Sequence, residues 1–154
     1  MTEIKPVVFK VGNEEYGVDI GIVRGIEKVL PVTPIHKANK NVKGIINLRG
    51  EVIPLYSLRR KFDMPDAQYT DNTKFIVIKT KELQLALEVD SVGEIQAVPD
   101  NSVFEMPKIL KTEDTKHYDK IIDVNNRIVV MLNVNKLLTK EETTELKDAL
   151  EELE

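Results

Sequence analysis

Residues 7–26 decide the fold of this chain, and their sequence is VVFKVGNEEYGVDIGIVRGI. β-branched and aromatic residues come first, Gly12 and Asn13 supply a turn, and apolar residues then recur at every second position from Tyr16. This pattern predicts a β-hairpin. Val23 and Ile26 follow at a spacing of three residues, which predicts a helical turn or the edge of a twisted strand.

The same pattern returns as IVIKTKELQLALEVDSVGEI in residues 76–95, with an offset that places Val7 on Ile76. Further along, the strand–turn–strand segment IINLRGEVI of residues 45–53 returns as IIDVNNRIV in residues 121–129, with a larger offset that places Ile45 on Ile121. The chain is therefore predicted to contain two copies of a unit of about five short strands, enough for a small closed barrel. Chance self-alignment of a β-rich chain is the alternative. Two such barrels would leave a groove between them, and grooves between subdomains are favoured binding sites.

Composition limits the class of protein. The 154 residues are 42% hydrophobic and 31% charged, which is typical of a globular chain. The sequence contains no cysteine, and this excludes disulfides, thiolate zinc sites and iron–sulfur clusters. The start of the chain, residues 1–6, has no apolar run typical of a secretory signal, and no stretch has the length of a membrane span. We therefore expect a cytoplasmic protein that does not insert into a membrane.

The sequence offers no catalytic machinery. His36 and His117 are isolated, and neither has a second histidine at metal-ligand spacing. Gly12 and Gly17 have the spacing of a phosphate-binding loop, but the Lys-Ser/Thr that should follow is missing. We expect no enzyme activity, no cofactor and no metal site.

Charge is distributed unevenly along the chain, whose net charge is −4. Residues 31–62 contain seven basic residues and a single acid, Glu51. A solvated surface is one interpretation of this stretch, and a basic face for an acidic protein or a nucleic acid is the other. A small β-barrel nucleic-acid-binding protein is thus the alternative function. The basic residues are Lys37, Lys40, Lys43, Arg49, Arg59, Arg60 and Lys61.

Three segments resemble one known family. They are FKVGNEEYGVDIGIV in residues 9–23, GIINLRGEVIPL in residues 44–55 and LEVDSV in residues 87–92. The chain is similar to the CheW family, the coupling proteins of bacterial chemotaxis, from about residue 7 to residue 138. The Gly-x-x-Asn-Leu-Arg-Gly-x-x-x-Pro block, which begins at Gly44, is its most specific part.

The resemblance implies a mainly β fold of two intertwined SH3-like five-stranded β barrels, with short helices and a C-terminal helix. A single CheW-like domain would span residues 1–154. One subdomain would cover about 7–65 together with C-terminal elements, and the other about 73–134 with a chain crossover. The C-terminal helix would occupy 135–154, where Thr139 and Glu142 also have the spacing of a capping box.

The resemblance also implies a non-enzymatic adaptor. Its partners would be the cytoplasmic hairpin tip of a chemoreceptor and the regulatory domain of the histidine kinase CheA, in arrays at the inner membrane. Nucleic acid would not be a partner, and the free chain would be monomeric. An apolar receptor-binding groove would lie between the barrels, with Gly44 and Arg49 as its support. The groove residues would be Val23, Ile26, Phe75, Val92 and Ile95.

Two positions depart from the family pattern. Many members have an acid between the Val and the Ile of the stretch that here reads Val23-Arg24-Gly25-Ile26. Ser57 stands where an aspartate is usual, although serine also caps helices well. The first departure bears on any acidic contact to a receptor, and the second only on the helix cap.

Overall fold

The structure is a computed structural model that describes residues 3–35, 39–95 and 97–152. Its described part contains short strands, two α-helices and several single 3-10 turns. No described helix has the length and apolar character needed to cross a membrane. The helices are α1 (Leu58–Lys61) and α2 (Lys140–Glu152). The strands are β1 (Glu3–Ile4), β2 (Pro6–Val11), β3 (Glu14–Asp19), β4 (Val23–Lys28), β5 (Val42–Leu48), β6 (Glu51–Ser57), β7 (Lys74–Lys79), β8 (Gln84–Val89), β9 (Ser91–Ile95), β10 (Val98–Pro99), β11 (Val103–Glu105), β12 (Tyr118–Val124) and β13 (Arg127–Leu132).

Most strands belong to two sheets. Sheet 1 has the strand order β11-β12-β13-β3-β2-β9, and sheet 2 has the order β4-β7-β8-β6-β5. The short strands β1 and β10 pair with each other. In each large sheet one pairing is parallel, β13 with β3 in sheet 1 and β6 with β8 in sheet 2, and the other pairings are antiparallel.

The register of the strands reproduces the internal repeat. Phe9 pairs with Tyr16 in the first hairpin, and their equivalents in the second copy, Ile78 and Leu85, pair in the same way. The parallel pairing of Gly17 with Met131 has its counterpart in that of Ala86 with Leu55, which combines both offsets. Even the irregularity between residues 42 and 44 of β5 recurs between 118 and 120 of β12. The repeat is therefore a property of the fold and not a chance self-alignment.

Each sheet is built from strands of both copies of the repeat. Sheet 1 combines β2 and β3 of the first copy with β9, β12 and β13 of the second. Sheet 2 combines β7 and β8 of the second copy with β4, β5 and β6 of the first, and so occupies the continuous range 23–89. The chain therefore divides between the sheets at other points than the expected subdomains, 7–65 and 73–134. Because β4 and β9 have the same apolar pattern, sequence alone does not tell which of them joins β2.

Each sheet closes on itself through the chain that follows its outer strand. After β4, Thr33 forms two backbone hydrogen bonds with Ile45 of β5, at 2.9 and 2.8 Å, so the two ends of sheet 2 meet. After β9, strand β11 pairs with β12 and closes sheet 1 in the same way. The expected pair of intertwined barrels is confirmed, with five strands in sheet 2 and six in sheet 1, where β11 is the additional strand.

A shared core lies between the sheets. This central core takes Val7 and Phe9 from sheet 1 and Ile76 and Leu87 from sheet 2, together with Leu146 of α2. Burial of such side chains stabilises a fold by about 1.5–3 kcal/mol each. A separate cluster, centred on Ile46, Ile53, Leu55, Phe75, Val77 and Ala86, fills sheet 2, and another, with Val8, Ile122 and Val129, fills sheet 1.

Both helices begin with the expected side-chain caps. The Ser57 hydroxyl accepts a hydrogen bond from the Arg60 amide at 3.2 Å at the start of α1. At α2, the Thr139 hydroxyl accepts from the Glu142 amide at 3.0 Å, and the Glu142 carboxylate accepts from the Thr139 amide at 3.1 Å. The C-terminal helix and its capping box are therefore present, and the helix begins at Lys140 instead of residue 135. Residues 153–154 of the expected helix lie outside the described residues.

Candidate functional site

The four β-strand residues proposed for the groove occupy equivalent places in the two sheets. Val23 pairs with Ile78 and Ile26 with Ile76, whereas Val92 pairs with Phe9 and Ile95 with Val7. These partners are themselves equivalent in the repeat, since the first offset places Val7 on Ile76 and Phe9 on Ile78. Strands β4 and β9 each stand at the end of the strand order of their sheet. The fold thus presents the same short apolar motif on each barrel.

Within each motif one residue faces the core and the other faces solvent. Val23 and Val92 are half-buried, and both pack against the central core. Ile26 and Ile95 are 38% and 47% exposed. The central core therefore brings Val23 and Val92 to the same cluster, one from each barrel. Ile26 and Ile95 remain available to a partner.

Phe75 has a different place from the one that the resemblance implied. Its side chain is fully buried in the cluster that fills sheet 2, against residues such as Ile46 and Ile53. The two-residue period of β7 sends Ile76 and Ile78 to the central core and Phe75 to the opposite face. Because both faces of β7 are covered, Phe75 has no surface to contribute to a groove.

Gly44 supports the closure of sheet 2. A Cβ atom at this position would lie 2.2 Å from the carbonyl oxygen of Thr33, and the backbone φ of Gly44 is +156°. Only glycine allows the chain after β4 to approach β5 so closely and form the Thr33–Ile45 bridge. Gly44 therefore supports β4 indirectly, because its missing side chain leaves room for the segment that follows β4.

Arg49 makes an ion pair inside sheet 2. Arg49 and Gly50 form the β5–β6 turn with φ values of +51° and +89°. One guanidinium nitrogen, Nη1, lies 2.8 Å from Oε1 of Glu27 on β4. An arginine that supports a groove between two barrels can do so by binding a carboxylate. The carboxylate is present, but it belongs to the same barrel, next to Ile26.

A second arginine, Arg59 of α1, makes a contact that was not predicted from the sequence. Its Nε donates to Oδ1 of Asp90 at 2.9 Å, and its Nη2 donates to Oδ2 at 2.6 Å. The Gly12 amide also donates to Oδ2, at 2.8 Å. Burial disfavours the charged form of Asp90, but the bonds from Arg59 and Gly12 outweigh it and lower the pKa of Asp90 below its usual value. The signal was available, because Asp90 is part of the family-like segment at residues 87–92.

The basic stretch of residues 31–62 is neutralised to a large extent. Four of its seven cations lie in ion pairs with acids from elsewhere in the chain, and Lys37 lies outside the described residues, as does His36. The Arg60–Asp66 pair lowers the pKa of Asp66, mainly through its hydrogen bond. Across the described part of this stretch, residues 31–35 and 39–62, these pairs interrupt the continuous basic face that nucleic-acid binding requires. The pairs are Lys43–Glu88, Arg49–Glu27, Arg59–Asp90 and Arg60–Asp66.

His117 is part of the protein interior and is not placed as a catalytic or metal-binding group. His117 is buried, and its ring stacks on Phe62 with the centroids 5.8 Å apart. Burial, and after it the charges of Lys61 and Lys116, lower the pKa of His117 to about 4. Within residues 3–35, 39–95 and 97–152, no group of three or more His, Asp or Glu side chains has the arrangement to hold a metal ion.

Two closed barrels with exchanged strands, a shared core and paired apolar motifs define a class of double-barrel β domain. A family model described as the CheW-like domain matches residues 5–142. The chain belongs to the CheW-like family.

Known proteins agree with this assignment over most of their length. The chain is 31% identical over 136 residues to the chemotaxis protein CheW of Klebsiella aerogenes, covering 88% of this chain and 82% of the relative. It is 28% identical over 137 residues to the chemotaxis protein CheW of Bacillus subtilis, covering 89% and 88%. Among solved structures, the scaffolding protein TtCheW from Thermoanaerobacter tengcongensis superposes with a TM-score of 0.83 at 27% identity, covering 92% of this chain and 96% of that one.

Proposed function

We propose that this chain is a non-enzymatic adaptor that couples chemoreceptors to the histidine kinase CheA. The observation that carries the proposal is the pair of equivalent exposed isoleucines, Ile26 and Ile95, on the outer strands of two barrels that share one core. The family membership supports the same role. We further propose that the free chain is a cytoplasmic monomer and is recruited to receptor arrays at the inner membrane.

The groove of this adaptor consists of Val23, Ile26, Val92 and Ile95. A receptor hairpin presents apolar side chains at helical spacing, and such a helix can lay them against two apolar walls. Half-buried Val23 and Val92 would form the floor, and Ile26 and Ile95 the rims. Gly44 and Arg49 would act indirectly, because one closes the barrel behind β4 and the other bonds Glu27 beside Ile26.

A second set of exposed apolar residues favours a separate surface for the kinase. Phe104, Ile109, Leu110 and Ile128 are large, apolar and exposed, and Ile109 is 87% exposed. None of them lies on β4 or β9. Large exposed apolar residues that form one patch are typical of a protein contact, and Ile109 and Leu110 are neighbours in sequence. We assign them to the regulatory domain of CheA.

The test is a paired titration of variants against a receptor-tip fragment and the kinase regulatory domain. Ile26→Asp and Ile95→Asp would each place a charge that loses its water on binding, at a cost of several kcal/mol. We expect both variants to lose the receptor fragment and to keep the kinase domain, and Ile109→Asp to do the opposite. Val23→Asp is less informative, because Val23 also packs against the central core.

Val52→Asp is the matched control for the groove. Val52 lies on β6 of sheet 2 and has the same exposure as Ile26, 38%. We expect this variant to bind the receptor fragment like the wild type. Circular dichroism confirms that each variant is folded. If folded Ile26→Asp and Ile95→Asp bind the receptor fragment as tightly as Val52→Asp, the groove assignment is wrong.

A further inference from the structure

The main chain crosses from one barrel to the other twice. The segment between β3 and β4 leads from sheet 1 to sheet 2, and the segment between β8 and β9 leads back. The second crossing consists of a single residue, Asp90, which stands between Val89 of β8 and Ser91 of β9. The groove residue Val92 follows two positions later.

Asp90 joins elements of both barrels. Its two carboxylate oxygens accept a fork of hydrogen bonds from Arg59 of α1, which directly follows β6 of sheet 2. The same carboxylate accepts from the amide of Gly12, in the β2–β3 turn of sheet 1, and the Asp90 amide donates to the Lys10 carbonyl at 2.9 Å. Both side chains of the ion pair are partly buried, which protects the pair from solvent.

The surrounding packing is close. A Cβ atom at Gly12 would lie 3.2 Å from the sulfur of Met64, in the segment that follows α1. A guanidinium nitrogen of Arg59 also donates to the Pro65 carbonyl at 3.1 Å. The end of α1, the crossing at Asp90 and the β2–β3 turn therefore form one connected unit.

The repeat contains a weaker counterpart of this contact. Lys81 and Asn135 are the equivalents of Gly12 and Arg59, by the first and the second offset of the repeat. There the Lys81 amide donates directly to the Asn135 side-chain oxygen at 2.8 Å. This contact is one neutral hydrogen bond, whereas the Arg59–Asp90 contact is a bidentate ion pair. Charge-assisted bonds of this kind are roughly twice as strong as neutral ones.

We propose that Arg59 and Asp90 are positioning residues: their ion pair fixes the orientation of the two barrels and thereby the distance between the groove walls on β4 and β9. β9 starts directly after Asp90, and Arg59 holds Asp90 to the barrel that carries β4. The consequence for receptor binding rests on the proposed function. The orientation itself does not, and it can be measured on the free chain.

The experiment measures the distance between the barrels by pulsed electron resonance. The chain has no cysteine, so spin labels can be placed at Lys79→Cys on β7 of sheet 2 and Asp123→Cys on β12 of sheet 1, both exposed. We expect Arg59→Ala to broaden the distance distribution and Arg59→Lys to broaden it less, because lysine keeps the charge and loses the fork. We also expect Arg59→Ala to lower the affinity for the receptor fragment at least about fivefold, which is the lower end of the usual range of coupling between two sites.

Arg60→Ala is the control. Arg60 is the next residue of α1 and forms the same kind of fork, with Asp66, but this pair does not reach sheet 1. We expect its distance distribution to match that of the wild type. The proposal is overturned if folded Arg59→Ala keeps the wild-type distribution, or if Arg60→Ala broadens it equally. Should Arg59→Ala not fold, Arg59→Lys decides by the same criterion. A wild-type chain that does not bind the receptor fragment overturns the proposed function, and the distances still decide the role of the ion pair.

Discussion

Arg49 and Glu27 connect the two ends of sheet 2. Arg49 lies in the turn after β5 and Glu27 on β4, and these strands stand at opposite ends of the strand order β4-β7-β8-β6-β5. Their side chains approach to 2.8 Å where the barrel closes. The Arg49 side chain is 74% exposed, whereas Glu27 is mostly buried. The ion pair therefore acts on the orientation of β4 more than on the stability of the core.

Arg49→Ala is expected to weaken receptor binding with little loss of stability. Because the Arg49 end of the ion pair is exposed to solvent, the pair should contribute about 0–1 kcal/mol, and the free energy of unfolding should fall by less than about 1 kcal/mol. Binding should fall more, because Glu27 is next to Ile26 and loses its partner. Arg127→Ala is the control, since Arg127 makes a similar pair with Glu15 at 3.1 Å in sheet 1. Equal receptor affinities of the two variants would contradict the role given to Arg49.

Gly44→Ala is expected to destabilise the fold strongly. The new methyl group would lie 2.2 Å from the Thr33 oxygen, so the Thr33–Ile45 bridge must open. We expect the free energy of unfolding to fall by at least about 3 kcal/mol, measured by urea denaturation. Gly50→Ala is the control, because Gly50 also has a positive φ but nothing within 4 Å of its Cβ position. Its cost should be about 1–2 kcal/mol, and an equal cost at both positions would argue against the steric role of Gly44.

Local patterns predicted the strands, because each hairpin has its own turn chemistry. The Asn125–Asn126 turn has φ values of +51° and +67°, as expected for asparagines in a two-residue hairpin turn. The internal repeat also predicted that β7 pairs with β8, because these strands are the equivalents of β2 and β3 in the second copy. These features depend on residues that are near in sequence.

The strand exchange and the inner position of Phe75 depend on residues that are far apart in sequence. β2 meets β9 and not β4, although Val23 and Ile26 have the same spacing as Val92 and Ile95. A period of two residues shows which side chains share a face of β7, but it does not show that both faces are buried. Phe75 is buried by Ile46 of β5 and Ile53 of β6, which are distant from it in sequence.

Glu142→Gln is expected to stabilise the chain. Two acceptors near the start of α2, Oδ1 of Asn41 and Oε2 of Glu142, are buried without a hydrogen-bond partner. The Asn41 side-chain amide donates to the Tyr56 hydroxyl at 3.3 Å. The pKa of Tyr56 is raised by burial and then by the Glu142 carboxylate. Glutamine would keep the acceptor for the Thr139 amide and add a donor. We expect the free energy of unfolding to rise by about 1 kcal/mol in urea denaturation.

Glu142→Ala is the control for this prediction. Alanine removes the unpartnered oxygen too, but it also removes the acceptor of the capping box with Thr139. We therefore expect a loss of about 1 kcal/mol. A Glu142→Gln chain that is no more stable than the wild type would show that the second carboxylate oxygen carries no cost.

His117 is expected to make the stability of the fold depend on pH. Burial, and then Lys61 and Lys116, lower its pKa from 6.5 to about 4 in the folded chain. The unfolded chain therefore binds a proton at His117 between these two pH values, and the folded chain does not. The contribution of neutral His117 to the free energy of unfolding is therefore fully present well above pH 6.5. It is lost as the pH is lowered from 6.5 toward 4. Between pH 7 and pH 5 the loss should be about 2 kcal/mol.

The measurement compares urea denaturation of the wild type and His117→Phe at pH 7 and pH 5. Phenylalanine keeps an aromatic ring against Phe62 and Tyr118, whose ring centroids lie 5.8 and 4.5 Å from that of His117, and it cannot titrate. The two chains differ only at residue 117, so the contribution of every other group cancels in the comparison. We expect the wild type to lose about 2 kcal/mol more than the variant between the two pH values. If both chains lose the same amount, His117 takes up its proton in the folded chain as readily as in the unfolded one, and burial does not keep it neutral.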